Sequence, residues 1–261
     1  KRKSHVTDFT NASRTMLFNI NTKKWDLELL NIFNIKKHIL PEIKNSMDDF
    51  GNAIINNISI PINGVSGDQQ SALFGHGCLE IGTSKCTYGT GLFYLLNIGE
   101  KRIDSNNGLL TTLAINDKGK PIYAIEGSVF IGGAVIQWIR DELNLIDNAS
   151  ESEDIALSID STEGVYIVPA FLGLGAPHWD SDCRGIITGL TRGSNKKHII
   201  RAALESIAYQ VNDLLESIKK DFSIKSNVLN VDGGAANNNF LLQFQSDISN
   251  IKIIKPSNIE S

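Results

Sequence analysis

The chain reads as an α/β protein, and three observations predict it. Strand-like and helix-like patterns alternate along most of its 261 residues, with hairpin patterns between them. The stretch 198–222 holds its apolar residues to the 3.6-residue period of a helix packed on one face. At two places, ISIPINGVSGD and VLNVDGG, a strand pattern runs into a glycine-bearing turn with a helix behind it.

The elements follow in order. Residues 1 to about 60 mix polar loops with short amphipathic pieces; KWDLELLNIF is expected as a helix and NIKKHIL as a second, ended by Pro41. ISIPINGVSGD is a strand with Ile58, Ile60 and Ile62 alternating, and it passes to a helix through QQSALFGH. TSKCTYGTGLFYLLNIG is a hairpin about Tyr88-Gly89-Thr90-Gly91, and LLTTLAINDKGKPIYAIEG is a second with an Asp-Lys-Gly turn. GSVFIGGAVIQWIRDELNLI is expected as one helix with Val129, Gly133, Ile136 and Ile139 or Leu143 on one face, and GVYIVPAFLG as a buried strand. Within 198–222 the stripe is Ile200, Ala203, Leu204, Ile207, Val211, Leu214, Leu215 and Ile218, apolar without interruption. VLNVDGG is a strand and AANNNFLLQFQSDI the helix behind it. A domain boundary is expected between Gly77 and Lys85, dividing 1–77 from 85–261.

Composition narrows the class. The length allows one large domain or two modest ones, and 41% hydrophobic with 21% charged residues excludes wholesale disorder. With 25 Lys and Arg against 29 Asp and Glu the net charge is −4, which leaves no basic footprint for nucleic acid. No apolar run reaches membrane-spanning length; FIGGAVIQWI is broken by glycines and ends at Arg140. The 3 cysteines form no CxxC pair and the 5 histidines are scattered, so neither a disulfide frame nor a zinc site is expected. All three cysteines are expected as buried apolar residues in a reducing compartment. KRKSHVTDFT lacks the apolar core of a signal peptide and NIKIIKPSNIES stops after a strand-like IKII, so both ends are expected to cut through a fold.

Three strand-then-turn sites could carry chemistry. At Gly67-Asp68-Gln69-Gln70, a carboxylate at a carboxyl strand end would face the crevice where open α/β sheets bind ligands; the alternative is that Asp68 merely caps the next helix. At Thr87-Tyr88-Gly89-Thr90-Gly91, hydroxyls and backbone N–H groups could be aimed at phosphate oxygens, or the glycines could serve the turn alone. At Val231-Asp232-Gly233-Gly234-Ala235, continuing to Asn237, Asn238 and Asn239, a nucleotide could approach the backbone at a helix start, or the pair could be an ordinary αβ turn. GxxxxGK[ST], the HRD and DFG pair and GxSxG are all missing, and Gly173-Leu174-Gly175 lacks the third glycine of a dinucleotide fingerprint. Any bound nucleotide is therefore cradled by another architecture.

In this order the sites resemble those of the FGGY family of carbohydrate kinases. TDFTNASRTMLFNI, SGDQQSALFG, TYGTG, PAFLGLGAPHWD, GLTRGSNKKHIIRAALESIAYQ and VDGGAANNNFLLQFQSDI carry the likeness, and the run from Gly185-Ile186-Ile187-Thr188-Gly189-Leu190 to Ala202-Ala203-Leu204-Glu205 is similar to the family's long C-terminal signature. The likeness covers essentially the whole chain, and the chain only part of the family's length. It implies the actin/Hsp70/hexokinase-like (ribonuclease H-like) ATPase fold, with 1–77 as part of the N-terminal substrate domain and 85–261 as most of the C-terminal nucleotide domain. The text is most similar to that of members acting on glycerol. The activity implied for the whole protein is transfer of the ATP γ-phosphate to glycerol with Mg²⁺, in a cytoplasmic homo-oligomer, the isolated piece being inactive. Two alternatives are a kinase of another sugar, such as xylulose or gluconate, and a non-catalytic remnant.

Residue by residue, the resemblance makes Asp68 the catalytic carboxylate. It assigns the polyol to Asp68, Gln69 and Phe93, and ATP to Thr90, Gly133, Gln137, Gly234 and Asn238. It implies no direct metal ligand, Asp68 reaching Mg²⁺ through water. Asp68 and the ATP residues fall on opposite sides of the expected boundary, so domain closure is expected to join donor and acceptor. NAIINNISIPI lacks the glycines and basic residue of the fructose 1,6-bisphosphate loop of inhibited members, so that regulation is expected to be absent.

Overall fold

The computed structural model describes residues 4–222 and 227–257; the extreme ends, where the chain reads as cut, lie outside the described residues. The chain divides into two compact units, Lys1–Ile81 with Leu96–Asp104 and Thr111–Ile125, and Gly82–Leu95 with Ser105–Leu110 and Glu126–Ser261.

In the first unit, β1 (Val6–Asp8) leads directly into α1 (Phe9–Ser13). The turn is set by Asp8, fully buried, whose carboxylate caps the helix by accepting from the Thr10 and Asn11 amides at 3.0 and 3.1 Å. The Thr10, Ser46 and Asn11 side chains donate to the same carboxylate at 2.6–2.7 Å, so its charge is buried fully hydrogen-bonded. β2 (Phe18–Asn19) and β3 (Lys24–Trp25) form an antiparallel ribbon in which Trp25 meets Phe18 edge-on and donates to the Pro41 carbonyl at 2.9 Å. α2 (Leu27–Ile32) is capped by Asp26 and buries only Leu30. NIKKHIL, expected as a helix, gives a single 3-10 turn at Lys37–Ile39; it has no capping side chain and buries nothing, so neither end nor face sustains an α-helix. β4 (Glu42–Lys44) pairs in parallel with β1.

β5 (Asn52–Ile55) and β6 (Ile58–Pro61) make a two-residue hairpin, turned by Asn56 and Asn57 at φ 50° and 63°. The strand expected through ISIPINGVSGD therefore ends at Pro61, and 62–67 is loop. The alternation of Ile58, Ile60 and Ile62 signals a strand, yet all three are exposed: period two locates a strand and says nothing of its partner. α3 (Asp68–Gly75) follows.

The main sheet takes β7 (Ser84–Tyr88), β8 (Leu92–Gly99), β9 (Leu110–Ile115) and β10 (Pro121–Val129), the two expected hairpins; β8, β9 and β10 contribute residues to both units. After α4 (Ala134–Asp141), α5 (Glu151–Leu157), the small antiparallel pair β11 (Tyr166–Val168) and β12 (Ile186–Thr188), and α6 (Lys196–Asp221), β13 (Val228–Asp232), α7 (Asn239–Ser249) and β14 (Lys252–Ile254) complete it. The strand order is β14-β13-β7-β8-β10-β9. β13 runs parallel to both β14 and β7, with Asn230 opposite Lys85 and Asp232 opposite Thr87, and α7 is the crossover that a parallel β13–β14 pair needs.

α6 is the spine of the second unit. Its eight stripe residues are all buried, as the period predicts, and Asn195 with His198 forms the capping box at its start. The buried face does carry polar interruptions: Ser206 and Ser217 are buried, and so is Glu205, paired with Arg201 at 2.8 Å, while Arg201 lies over the Phe240 ring at 4.9 Å. Three other expectations are corrected. The helix expected over 127–146 covers only 134–141, because Gly127–Val129 continue β10 and Asn144, at φ 51°, ends the helical path. GVYIVPAFLG yields a three-residue strand with only Ile167 buried. Cys78 and Cys86 are buried, but Cys183, in the loop before β12, is half-buried; all three are free thiols.

Candidate functional site

The second unit holds a cavity of about 540 Å³, within the usual range for small-molecule sites. Four pieces of chain wall it: the hairpin turn with Gly89 and Thr90, the start of α4 with Gly133 and Gln137, the start of α5 with Ser152 and Glu153, and the segment from Gly234 to Leu241. Leu204 and Ile207 of α6 supply apolar surface. Thr90, Gly133, Gln137, Gly234 and Asn238, five residues singled out in the sequence, thus line one cavity.

The turn is tied to α4 by backbone groups. Gly132 donates to the Thr90 carbonyl at 2.8 Å, Gly133 to Gly89 at 2.9 Å and Ala134 to Thr90 at 3.2 Å. Such contact needs small residues: a Cβ on Gly91 would stand 2.7 Å from the Val129 carbonyl, and one on Gly133 3.0 Å from that of Gly89. The Gly233-Gly234 pair divides its duties. Gly233 has φ +86°, and a Cβ there would meet the Tyr88 carbonyl at 2.6 Å, so the fold requires it. A Cβ on Gly234 would meet nothing within 4 Å. The ordinary turn accounts for the first glycine; the second opens onto the cavity.

Beneath the turn, β7 and β13 place buried charge side by side. Lys85, fully buried, donates to Thr87 at 2.7 Å, and Thr87 lies opposite the buried Asp232. Burial pushes the Cys86 thiol up to about 12, with Lys85 opposing and Asp232 reinforcing the shift. Burial also raises the Tyr88 phenol, whose hydroxyl donates to Gln245 at 3.1 Å.

Asp68 and Gln69 belong to the first unit. Asp68 is the first residue of α3, exposed, and the N-cap position itself falls to Gly67, so what remains of the capping alternative is a bond to one first-turn amide. Its carboxylate accepts the Gln69 amide at 2.7 Å. The approach to α3 is set from a distance in sequence: Gly67 donates its amide to the Thr10 hydroxyl at 2.8 Å, and that hydroxyl donates to the buried Asp8. TDFTN and SGDQQ, far apart in the chain, are one structural feature. Asp68 does not stand at a strand end, since β6 stops at Pro61. Phe93 lies half-buried in β8, in the second unit.

The sequence reading missed the α5 wall. Ser150, Ser152 and Glu153 line the cavity, as does Arg140 of α4. Its one local signal was Ser150 followed three residues on by Glu153, a helix-start pattern that says nothing of a cavity. Among the described residues no group of three or more His, Cys, Asp or Glu could hold a metal ion, and no helix is long and apolar enough to cross a membrane.

The sequence matches the C-terminal domain of the FGGY family of carbohydrate kinases over residues 84–261 and the N-terminal domain of that family over 2–75. A glycerol kinase of Clostridium botulinum (strain Langeland) is 57% identical over 263 residues, covering 100% of this chain and 53% of that protein. One of Shewanella frigidimarina is 56% identical over 257 residues, 98% of this chain and 52% of that protein. Among solved structures, Plasmodium falciparum glycerol kinase with ADP superposes with a TM-score of 0.89 at 45% identity, covering 98% of this chain and 52% of that one. A ligand-bound xylulose kinase from Lactobacillus acidophilus gives 0.82 at 26% identity, over 98% and 53%. The chain spans about half the length of the curated relatives it matches.

Proposed function

This chain belongs to the FGGY family of carbohydrate kinases and has the actin/Hsp70/hexokinase-like ATPase fold that its motifs imply; on that premise we propose that the protein transfers the γ-phosphate of ATP to glycerol, giving sn-glycerol 3-phosphate. The observation that carries the donor half is the meeting of Thr90, Gly133, Gln137, Gly234 and Asn238 around one cavity, with Gly234 open to it. The acceptor half rests on the relatives at 56–57% identity, which are glycerol kinases, and on the exposed carboxylate of Asp68 beside Gln69.

Each residue then has a task. A primary alcohol is a weak nucleophile at neutral pH, and phosphoryl transfer needs it aligned more than activated. The Asp68 carboxylate would accept the hydroxyl hydrogen bond, orient the oxygen and take its proton late in the transfer. Gln69 would hold a second hydroxyl, and the Phe93 ring would cover the carbon face of the polyol. The Thr90 hydroxyl and the amides of its turn would position phosphate oxygens, and the Asn238 side of the cavity the adenosine. Mg²⁺ supplies charge neutralisation when bound with the nucleotide. Asp68 is a fitting partner for it through water, since Mg²⁺ commonly joins substrate phosphates to one or two carboxylates. The same reading takes the protein to self-associate and sets it in a reducing cytoplasm, where its free cysteines would stay thiols.

The test is a coupled assay of the intact protein with ATP and glycerol, xylulose or gluconate. Glycerol should be phosphorylated in strong preference; preference for either sugar substrate, or turnover of none, refutes the assignment. Asp68→Asn should lower turnover by about 10²–10⁴ with ATP still bound, and unchanged turnover would remove Asp68 from the chemistry.

A further inference from the structure

The start of α5 is bound to the start of α7 across the cavity wall. Ser152, 1% exposed, donates its hydroxyl hydrogen to the Ala149 carbonyl at 2.6 Å. Its oxygen accepts from the Asn238 Nδ2 at 3.2 Å, and the Asn238 Oδ1 in turn accepts from the Leu241 amide at 2.9 Å. Beside this chain of bonds, the Glu153 carboxylate accepts from the backbone amide and the side-chain Nδ2 of Asn239, both at 3.0 Å.

The direction of the series is fixed at both ends. A backbone carbonyl only accepts and a backbone amide only donates, so neither Ala149 nor Leu241 can reverse its part. Ser152 has one hydrogen, committed to Ala149, and can meet Asn238 only as an acceptor. A flipped Asn238 carboxamide would set oxygen against the Ser152 oxygen and N–H against the Leu241 N–H. The amide therefore has one orientation, with one hydrogen on Nδ2 left to give. Asn238 lines the cavity together with Ile136, Leu204, Ile207 and Leu241, surroundings suited to a flat apolar ring that carries hydrogen-bond acceptors at its edge.

We infer that Ser152 is the positioning residue of this cavity: it fixes the Asn238 carboxamide so that the remaining N–H donates to a ring nitrogen of the purine base. The inference rests on the nucleotide reading of the cavity and adds to it a residue that acts only through another. Glu153 supports the same wall by holding Asn239, the first residue of α7.

The test compares, by calorimetry on the intact protein, the affinities for ATP and for its 1-deaza, 3-deaza and 7-deaza analogues, each lacking one ring nitrogen acceptor. The unaltered protein should bind one of the three about five- to tenfold more weakly than ATP, the worth of one hydrogen bond. In Ser152→Ala the carboxamide keeps its bond from the Leu241 amide but loses the partner that holds Nδ2, so it can swing about the remaining bond and the gap should close to within about twofold; Ser152→Thr, which keeps the hydroxyl, should restore it. A purely structural role for Ser152 would weaken all four nucleotides alike and leave the gap intact, which would overturn the inference. So would equal binding of all four by the unaltered protein. Failure of the unaltered protein to bind ATP at all would instead bring down the nucleotide reading, and this inference with it.

Discussion

Gly233 and Gly234 are adjacent, yet the structure assigns them opposite consequences on substitution by alanine. Gly233 has φ +86° and ψ 163°, a region essentially reserved for glycine, where another residue costs about 1–3 kcal/mol. A methyl there would also stand 2.6 Å from the Tyr88 carbonyl oxygen and 2.8 Å from its carbon, backbone atoms held in the central part of the sheet. Together these set the cost of Gly233→Ala at about 3 kcal/mol, and for a unit of this size a fall in Tm of about 6–12 °C. Gly234 has no positive φ, and its added methyl meets nothing within 4 Å. Gly234→Ala should therefore melt as the unaltered protein does or slightly higher, because alanine narrows the unfolded ensemble by about 0.4–1 kcal/mol. Its effect should appear instead in ATP affinity, with Kd raised about tenfold or more as the methyl occupies space the ligand needs. Thermal melts followed by circular dichroism, paired with calorimetric titration of ATP, separate the two. A Gly233→Ala protein that melts normally, or a Gly234→Ala protein that binds ATP normally, refutes the division of roles.

Two more tests read other parts of the molecule. Burial pushes the Asp221 carboxyl up, but hydrogen bonds from Ser105, from the Asn107 side chain and from the Asn106 and Asn107 amides outweigh it and leave the group below its ordinary value. A depressed folded-state pKa means stability that is fully present above about pH 4 and lost as pH falls through the lower value. The Tm advantage of the natural protein over Asp221→Asn should therefore shrink on going from about pH 5 to pH 3; an advantage independent of pH would contradict this. Iodoacetamide at pH 8 should label the folded protein at Cys183 alone, since Cys78 and Cys86 are buried and the Cys86 thiol titrates near 12, and should label all three once the chain is denatured. Mass spectrometry of the peptides decides, and native labelling of Cys86 would show the sheet opening on the labelling timescale.

What the sequence revealed depended on how local each signal was. The buried stripe of α6 was legible to the residue because it is long and strictly periodic, while the bounds read as 198–222 shifted to 196–221, since the capping box of Asn195 with His198 starts the helix two residues earlier. The hairpin at Gly89–Gly91 and the Gly233-Gly234 turn were legible as turns, since glycine punctuates the chain. That they share a cavity follows only from the parallel pairing of β13 with β7, between residues more than a hundred apart. The helix read over 127–146 failed at its start because Gly127 packs against Leu214, where a Cβ would lie 2.8 Å away, and glycine chosen for packing looks like glycine tolerated in a helix. The α5 wall escaped because Ser152 and Glu153 are polar residues in an acidic stretch, and their partners, Asn238 and Asn239, lie 86 residues onward. Thr10 escaped for the same reason, 57 residues before the Gly67 amide that it receives.

The bonds from Gly132, Gly133 and Ala134 to the hairpin turn have a consequence for anion recognition. A helix beginning beside a phosphate commonly greets it with unsatisfied donors and the positive pole of its dipole. α4 comes to this cavity with the amides of its N-cap, Gly133, and its first residue, Ala134, already facing carbonyl oxygens of the turn, as does the Gly132 amide just before them. What it offers a guest is a bare, close-fitting backbone: contour in place of charge. If the cavity takes a polyphosphate, as proposed, electrostatic grip would come from the Thr90 turn, from Arg140 on the cavity wall and from the accompanying cation.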